Sequence, residues 1–207
     1  MARSRLRHDE AMTAASGDAF HPLTAAELRQ WLEAHHTSRS GIWLVTDTKA
    51  SGREGIPYGT IVDELLCFGW IDSKPNAVDA TRSKRWIAPR RARSGWSRVN
   101  KAKVARLTEE GRMHPAGLAV VHAAMQDGSW VALDAVENLE VPEDLAVAFA
   151  EYAEANAHFS RFPRSVKKNI LEWIQGARTV ETRAKRIRET AERAARNERA
   201  NQWRRSG

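Results

Sequence analysis

Between Val62 and Arg106 the chain reads VDELLCFGWIDSKPNAVDATRSKRWIAPRRARSGWSRVNKAKVAR, and no other stretch constrains the fold as strongly. A wide apolar helical face (Ile61, Val62, Leu65, Leu66, Phe68) stops at Gly69. The runs Trp70 to Lys74 and Lys84 to Ala88 then alternate across a polar loop, which predicts an antiparallel hairpin. Trp70, Asp72 and Lys74 share one strand face; Lys84, Trp86 and Ala88 share one on the other. Pro89 closes the hairpin, and every apolar pattern after it has helical spacing. An isolated hairpin is marginal in water, so a third strand and covering helices are required. The bulky, β-branched run IWLVTD at 42–47 supplies the strand. The fold class expected is therefore α+β, with a small antiparallel sheet of three or more strands and helices. An all-helical C-terminal half follows.

Punctuation places the remaining elements. Thr24 and Glu27 form a capping box ahead of Leu28, Trp31, Leu32 and His35. Residues 49–57 (KASGREGIP) read as an exposed loop. Ser97 is the natural cap of a helix that Gly111 closes, and Pro115 opens the next, which Gly128 ends. Leu118, Val121, His122 and Met125 are its expected buried stripe, with His122 a core histidine. Further stripes are Leu145, Ala148, Phe149, Tyr152 and Val166, Ile170, Trp173, Ile174. The last is Val180, Ala184, Ile187, Ala191, Ala194. The organisation expected is a disordered lead at 1–20, an α+β domain at 21–110, and a helical region at 111–200 packing on it.

Composition excludes several classes. Apolar residues at 42% and charged residues at 29% describe a globular chain. No apolar run reaches the length of a membrane-spanning helix, and none follows the basic N-terminus. A cytoplasmic location without a secretory signal is expected. One cysteine forms no internal disulfide, and the seven histidines fall into no zinc-ligand spacing. No metal or cofactor is expected. The net charge of +7 is unevenly spread. Residues 82–106 carry ten basic side chains and no acidic one, whereas 107–160 carry ten acidic and one basic. That pattern serves an anionic partner, or it neutralises itself within one fold.

Three chemistries fit the handover from hairpin to helix, where Asp72, Lys74, Arg85, Arg90, Arg91, Ser94, Trp96, Ser97 and Asn100 gather. The first is binding of an anion or a protein partner: the helix after Ser97 offers N–H groups, and Arg90 with Arg91 offers a bidentate clamp. The second is nucleic-acid binding through residues 82–106, where Trp86 and Trp96 interleave the cations. The third is catalysis with Asp72 as acid/base and Arg90 as oxyanion or phosphate clamp. The structural alternative is that Ser97 only caps and Asp72 only pairs with an arginine across the hairpin. Cys67 follows Asp63 at i+4, and a carboxylate raises a thiol pKa, so a buried structural role is expected of it.

The segments FGWIDSK (68–74), RWIAPRRARSGWSRVNK (85–101) and GRMHPAGL (111–118) resemble, in that order, the signature segments of the YdeI/OmdA family. The GIWLVTDTK strand resembles its start, and VPEDLAVAF…FSRFPRSVKKNILEWIQGARTVETRAKRI resembles its helical tail. Ser73 stands where the family commonly has glycine, and the KASG loop lacks a second lysine after Lys49. The resemblance implies a bacterial protein linked to tolerance of bacteriocins or antimicrobial peptides. It brings no reaction, cofactor or catalytic residue, and a non-enzymatic binding protein is the reading it favours.

Overall fold

The structure, a computed structural model, describes residues 19–201. The chain forms two compact units: the first takes the chain up to Ser94 with Val99–Trp130, the second Gly95–Arg98 and the chain from Val131 on. The fold is α+β. The sheet of the first unit contains β1 (Ala19–Phe20), β2 (Ile42–Asp47), β3 (Trp70–Asp72), β4 (Asn76–Ala77) and β5 (Arg82–Pro89). Its order is β1-β2-β5-β3, with β4 also on β5. The pairs with β5 are antiparallel, as the hairpin pattern requires. β1 runs parallel to β2, so the sheet is mixed rather than purely antiparallel. Ala19 and Phe20 thereby leave the expected disordered lead, because the Phe20 ring stacks on Trp31 at 5.5 Å. The rest of that lead, 1–18, and the last residues, 202–207, lie outside the described residues.

Alternation assigns the sheet faces. Ile42, Leu44 and Thr46 of β2 and Arg85 and Ile87 of β5 are buried. Trp43, Val45, Lys84 and Trp86 lie on the opposite face. α1 (Ala25–His35) starts as its capping box demands: Thr24 Oγ1 accepts the Glu27 N–H at 3.2 Å. Glu27 reaches back one residue beyond the cap, accepting the Leu23 N–H at 2.8 Å. Its Leu28 and Leu32 are fully buried. α2 (Tyr58–Cys67) follows Pro57, and the chain leaves it through Gly69 at φ +72°.

α3 (Arg98–Glu109) and α4 (Pro115–Gln126) follow. The buried line of α4 is Gly117, Val121 and Ala124; of the expected Leu118, Val121, His122 and Met125, Val121 is buried and Leu118 half-buried. His122 is exposed rather than core, and Met125 is 53% exposed. The rotation has a steric cause. Gly117 faces the end of α2 so closely that a Cβ there would sit 2.7 Å from the Cys67 carbonyl carbon. The His114 N–H donates to that carbonyl at 3.0 Å. The helix turns its one residue without a side chain toward its neighbour.

α2 buries two adjacent carboxylates, Asp63 and Glu64. Each is held by two cations. Asp63 accepts from Lys103 Nζ and from Arg106, both at 2.5 Å. Glu64 accepts from Arg29 at 3.0 Å and from Arg112 at 2.6 Å. Glu110 joins the two halves, accepting from Arg106 at 2.8 Å and Arg112 at 3.3 Å. Burial works to raise the Asp63 carboxyl, but the hydrogen bonds from Lys103 and Arg106 outweigh it and hold it below the usual range.

The second unit contains α5 (Asp134–Asn138), α6 (Glu143–Ala150), α7 (Ala155–Arg161), α8 (Arg164–Gln175) and α9 (Val180–Ala195). Its core includes Leu145, Phe149, Phe159, Ile170, Ile174, Ile187 and Ala191. The stripe of α9 holds from Ile187 onward, whereas Val180 is 81% exposed. Buried Glu137 accepts from Lys168 at 2.8 Å and from the Arg98 N–H at 3.4 Å, and its main-chain carbonyl accepts from Arg164.

Two stability outcomes follow from the first unit. Gly117→Ala overpacks a backbone contact and should cost about 1–3 kcal/mol in urea unfolding, whereas Met125→Ala, at an exposed position of the same helix, should stay within about 0.5 kcal/mol. Arg29→Ala or Arg112→Ala alone leaves Glu64 one guanidinium; each should cost under about 1 kcal/mol, since both arginines are one-third exposed. The double variant strands a buried carboxylate and should cost about 3–5 kcal/mol, more than the two single losses together.

Candidate functional site

The sequence-expected residues do not form one site. Asp72, Lys74 and Arg85 come together. With Tyr58, Ser73 and Pro75 they line a depression of about 410 Å³ in the first unit. The geometry grows from the hairpin register. Asp72 stands opposite Ile87 on β5, so Arg85, two residues further along, projects from the same inner face. Its Nη1 donates to Asp72 Oδ2 at 2.8 Å, and its guanidinium lies 4.4 Å from the centre of the Tyr58 ring. Tyr58 begins α2, and half its surface remains exposed. Burial, together with the Asp72 carboxylate that it hydrogen-bonds, pushes the Tyr58 phenol up.

Charge in the depression is uneven. Asp72 compensates Arg85, while exposed Lys74 adds a cation at the rim. Ser73 is spent on the sheet: its Oγ accepts the Trp86 N–H at 3.0 Å, and its N–H donates to the Trp86 carbonyl at 2.8 Å. The arrangement can receive a small anion against Lys74 and the phenol. Asp72 is engaged as the counter-ion of Arg85, which is the pairing across the hairpin weighed above.

The other expected residues lie elsewhere. Arg90 follows β5, its N–H donating to the Gly69 carbonyl at 2.9 Å, and it does not line the depression. Burial pushes its guanidinium down to about 10. Arg91 is exposed, and its carbonyl accepts from the Ser94 hydroxyl at 2.7 Å, closing a turn through Arg93 at φ +60°. The pairing of Asp72 with Arg90 that catalysis needed is absent from the lining. Trp96 is 1% exposed, a core residue and not a stacking surface. Trp96 and Ser97 belong to the second unit, Asn100 to the first. The helix start at Ser97 does not offer an empty anion site, because Glu137 already accepts the Arg98 N–H.

Part of the basic block 82–106 is neutralised within the fold. Arg82 pairs with Asp79 at 2.7 Å, Arg85 with Asp72, and Lys103 and Arg106 with Asp63. The acidic block does the same in the second unit, where Asp144 holds Arg183 at 2.6 Å and Glu137 holds Lys168. Cys67 is fully buried, and burial followed by the Glu64 charge pushes its thiol up, which removes it as a nucleophile. Among the described residues no group of His, Cys, Asp or Glu could hold a metal ion, and no helix is long and apolar enough to cross a membrane.

Sequence reasoning missed Tyr58, Asp63, Glu64 and the ring cluster of His36, Phe68 and His114. His114 stacks on Phe68 at 4.7 Å and meets His36 edge-on at 4.8 Å. Its Nδ1 accepts the Ala116 N–H at 3.2 Å, so it caps α4 only while that nitrogen is unprotonated. The HPAGL order, a cap-position histidine before a proline, was the available signal. Burial, then the His36 and Arg29 charges, lower the His114 pKa, with Glu33 opposing them. The unfolded chain therefore binds the proton more readily. Stability should be full above the ordinary histidine value of about 6.5 and fall as pH drops toward the lowered folded value. His114→Asn keeps a capping acceptor and should flatten that slope in unfolding curves between about pH 5 and 7.

Comparison with known proteins gives two family matches. Residues 20–120 match a domain of unknown function (DUF8412), and residues 138–197 match the family described as Bacteriocin-protection, YdeI or OmpD-Associated (OmdA). No curated protein and no solved structure matches the chain. The hairpin segments that suggested the resemblance thus fall in the first match, and the helical tail falls in the second. The likeness to the YdeI/OmdA family is thus carried by the tail, residues 138–197.

Proposed function

We propose that this chain is a non-enzymatic, cytoplasmic binding protein of the YdeI/OmdA type, serving bacteriocin or antimicrobial-peptide tolerance by holding an anionic ligand or an acidic group of a protein partner. The depression of Tyr58, Asp72, Lys74 and Arg85 is its site. The observation that carries this reading is the fixed Asp72–Arg85 pair under Tyr58, with Lys74 left as a surplus cation at the same opening. A buried, ion-paired arginine stacked on a ring is a rigid floor, and rigidity lowers the cost of binding. The tolerance role rests on the family description alone.

Inorganic phosphate is a suitable probe for the anion site. It should raise the thermal midpoint of the wild type, because a ligand that binds only the native state stabilises it. Lys74→Glu should abolish that rise without lowering the midpoint in the absence of phosphate. In a strain deleted for the gene and challenged with a bacteriocin, the wild type should restore tolerance and Lys74→Glu should not. Equal rescue by both would remove the depression from the function.

A further inference from the structure

The outer face of the sheet holds a second arrangement, independent of the depression. Trp43 and Trp86 stand opposite each other on β2 and β5, with their rings 5.4 Å apart at 75°. The Trp86 indole lies across Gly41, where a Cβ would come within 2.6 Å of the ring, so the ring reaches this position only over glycine. The ring packs against the Gly41 backbone, and the residue remains 38% exposed. Lys84 Nζ sits 4.7 Å from the centre of the Trp43 ring. Ile71 of β3, paired with Ala88, extends the same face and is 36% exposed.

The charges around this face leave Lys84 as its surplus cation. Asp79 is taken by Arg82, and Asp47 lies 3.5 Å from His21 with its side chain 7% exposed. Lys84 has a ring beneath it rather than a carboxylate. An exposed indole beside a lysine fits a ligand that offers a π face and a negative charge at short spacing. An unpaired base with its phosphate is such a ligand, and base stacking on aromatic side chains is how single strands are held. A duplex hides its base faces inside the stack. The face also spans β2, β5 and β3, two strand spacings of about 4.8 Å each, which is room for more than one base.

We infer that the outer sheet face, centred on Trp86 with Lys84 and Trp43, binds single-stranded nucleic acid by stacking bases on Trp86 and neutralising phosphate at Lys84. Of the range 82–106 expected to serve nucleic-acid binding, this face uses Lys84 and Trp86, while Trp96 is buried and takes no part.

The test is fluorescence anisotropy of labelled oligothymidylate and oligouridylate titrated with the full chain at about 20 mM salt, where backbone attraction is least screened. Saturable binding is expected, weakening as salt rises. Trp86→Ala should weaken it about tenfold or more, the scale of one lost base stack. Lys84→Glu should weaken it at least as much, whereas Lys185→Glu, the same charge change on exposed α9, should leave it within about twofold. Circular dichroism of each variant establishes that it folds; should Trp86→Ala unfold, Trp86→Leu and the two lysine variants decide. No binding at low salt, equal affinity for a duplex of the same length, or equal losses from Lys84→Glu and Lys185→Glu would overturn the inference. The phosphate effect at Lys74 is read separately, so either site can fail without the other.

Discussion

Two adjacent carboxylates on α2 set the terms for the first unit. Asp63 and Glu64 are each less than a tenth exposed, and a carboxylate is costly to remove from water without partners. The cost is offset by cations from three places along the chain: Arg29 on α1, Lys103 and Arg106 on α3, and Arg112 before α4. These pairings are long-range in sequence, so they form only when the helices are already in place. Apolar burial drives the association, and the ionic network selects one arrangement of the helices. The Cys67 carbonyl and Gly117 then fix how closely α4 can approach.

The same network explains why a basic block need not be a basic surface. Side chains 82–106 look unopposed along the chain because their partners lie at 63, 72 and 79. Formal charge is a property of the sequence, while potential is a property of the fold. Once Arg82, Arg85, Lys103 and Arg106 have carboxylates, the field that could attract a polyanion is reduced to fewer groups. Lys74 and Lys84 remain as cations with no carboxylate in their described pairings, and they sit beside the two surfaces with exposed aromatic rings.

Legibility followed the physics of each element. The strand at 42–47, the Thr24 cap, the Gly69 stop and the Pro115 start are local effects, and residues next to one another in sequence decide them. The face of α4 was misjudged because hydrophobicity alone ranked Met125 above Gly117; close approach, not apolar area, chose the buried side. The two short helices α5 and α7 lacked enough turns to show a period. In the candidate site, Asp72, Lys74 and Arg85 were readable from strand alternation. Tyr58 was not, since it enters from a helix whose placement depends on tertiary packing. Trp96 was misread for the same reason: nothing beside it in sequence marks the core it enters.

The run SKRWIAP at 83–89 shows how one strand can serve two unlike faces. A slip of one residue would turn Lys84 and Trp86 inward and expose Ile87, which is fully buried. It would also carry Arg85 away from Asp72 and Tyr58, so ionic and apolar terms oppose the slip together. A charged residue inside a sheet normally weakens it. Here its pairing makes the wrong register more costly than an apolar residue would. The register then places Trp86 over Gly41 without further help, because 41 and 43 share a face and the glycine leaves the space open. The inner pair therefore positions the outer ring, and the chemistry available on each side of β5 follows from one alignment of strands.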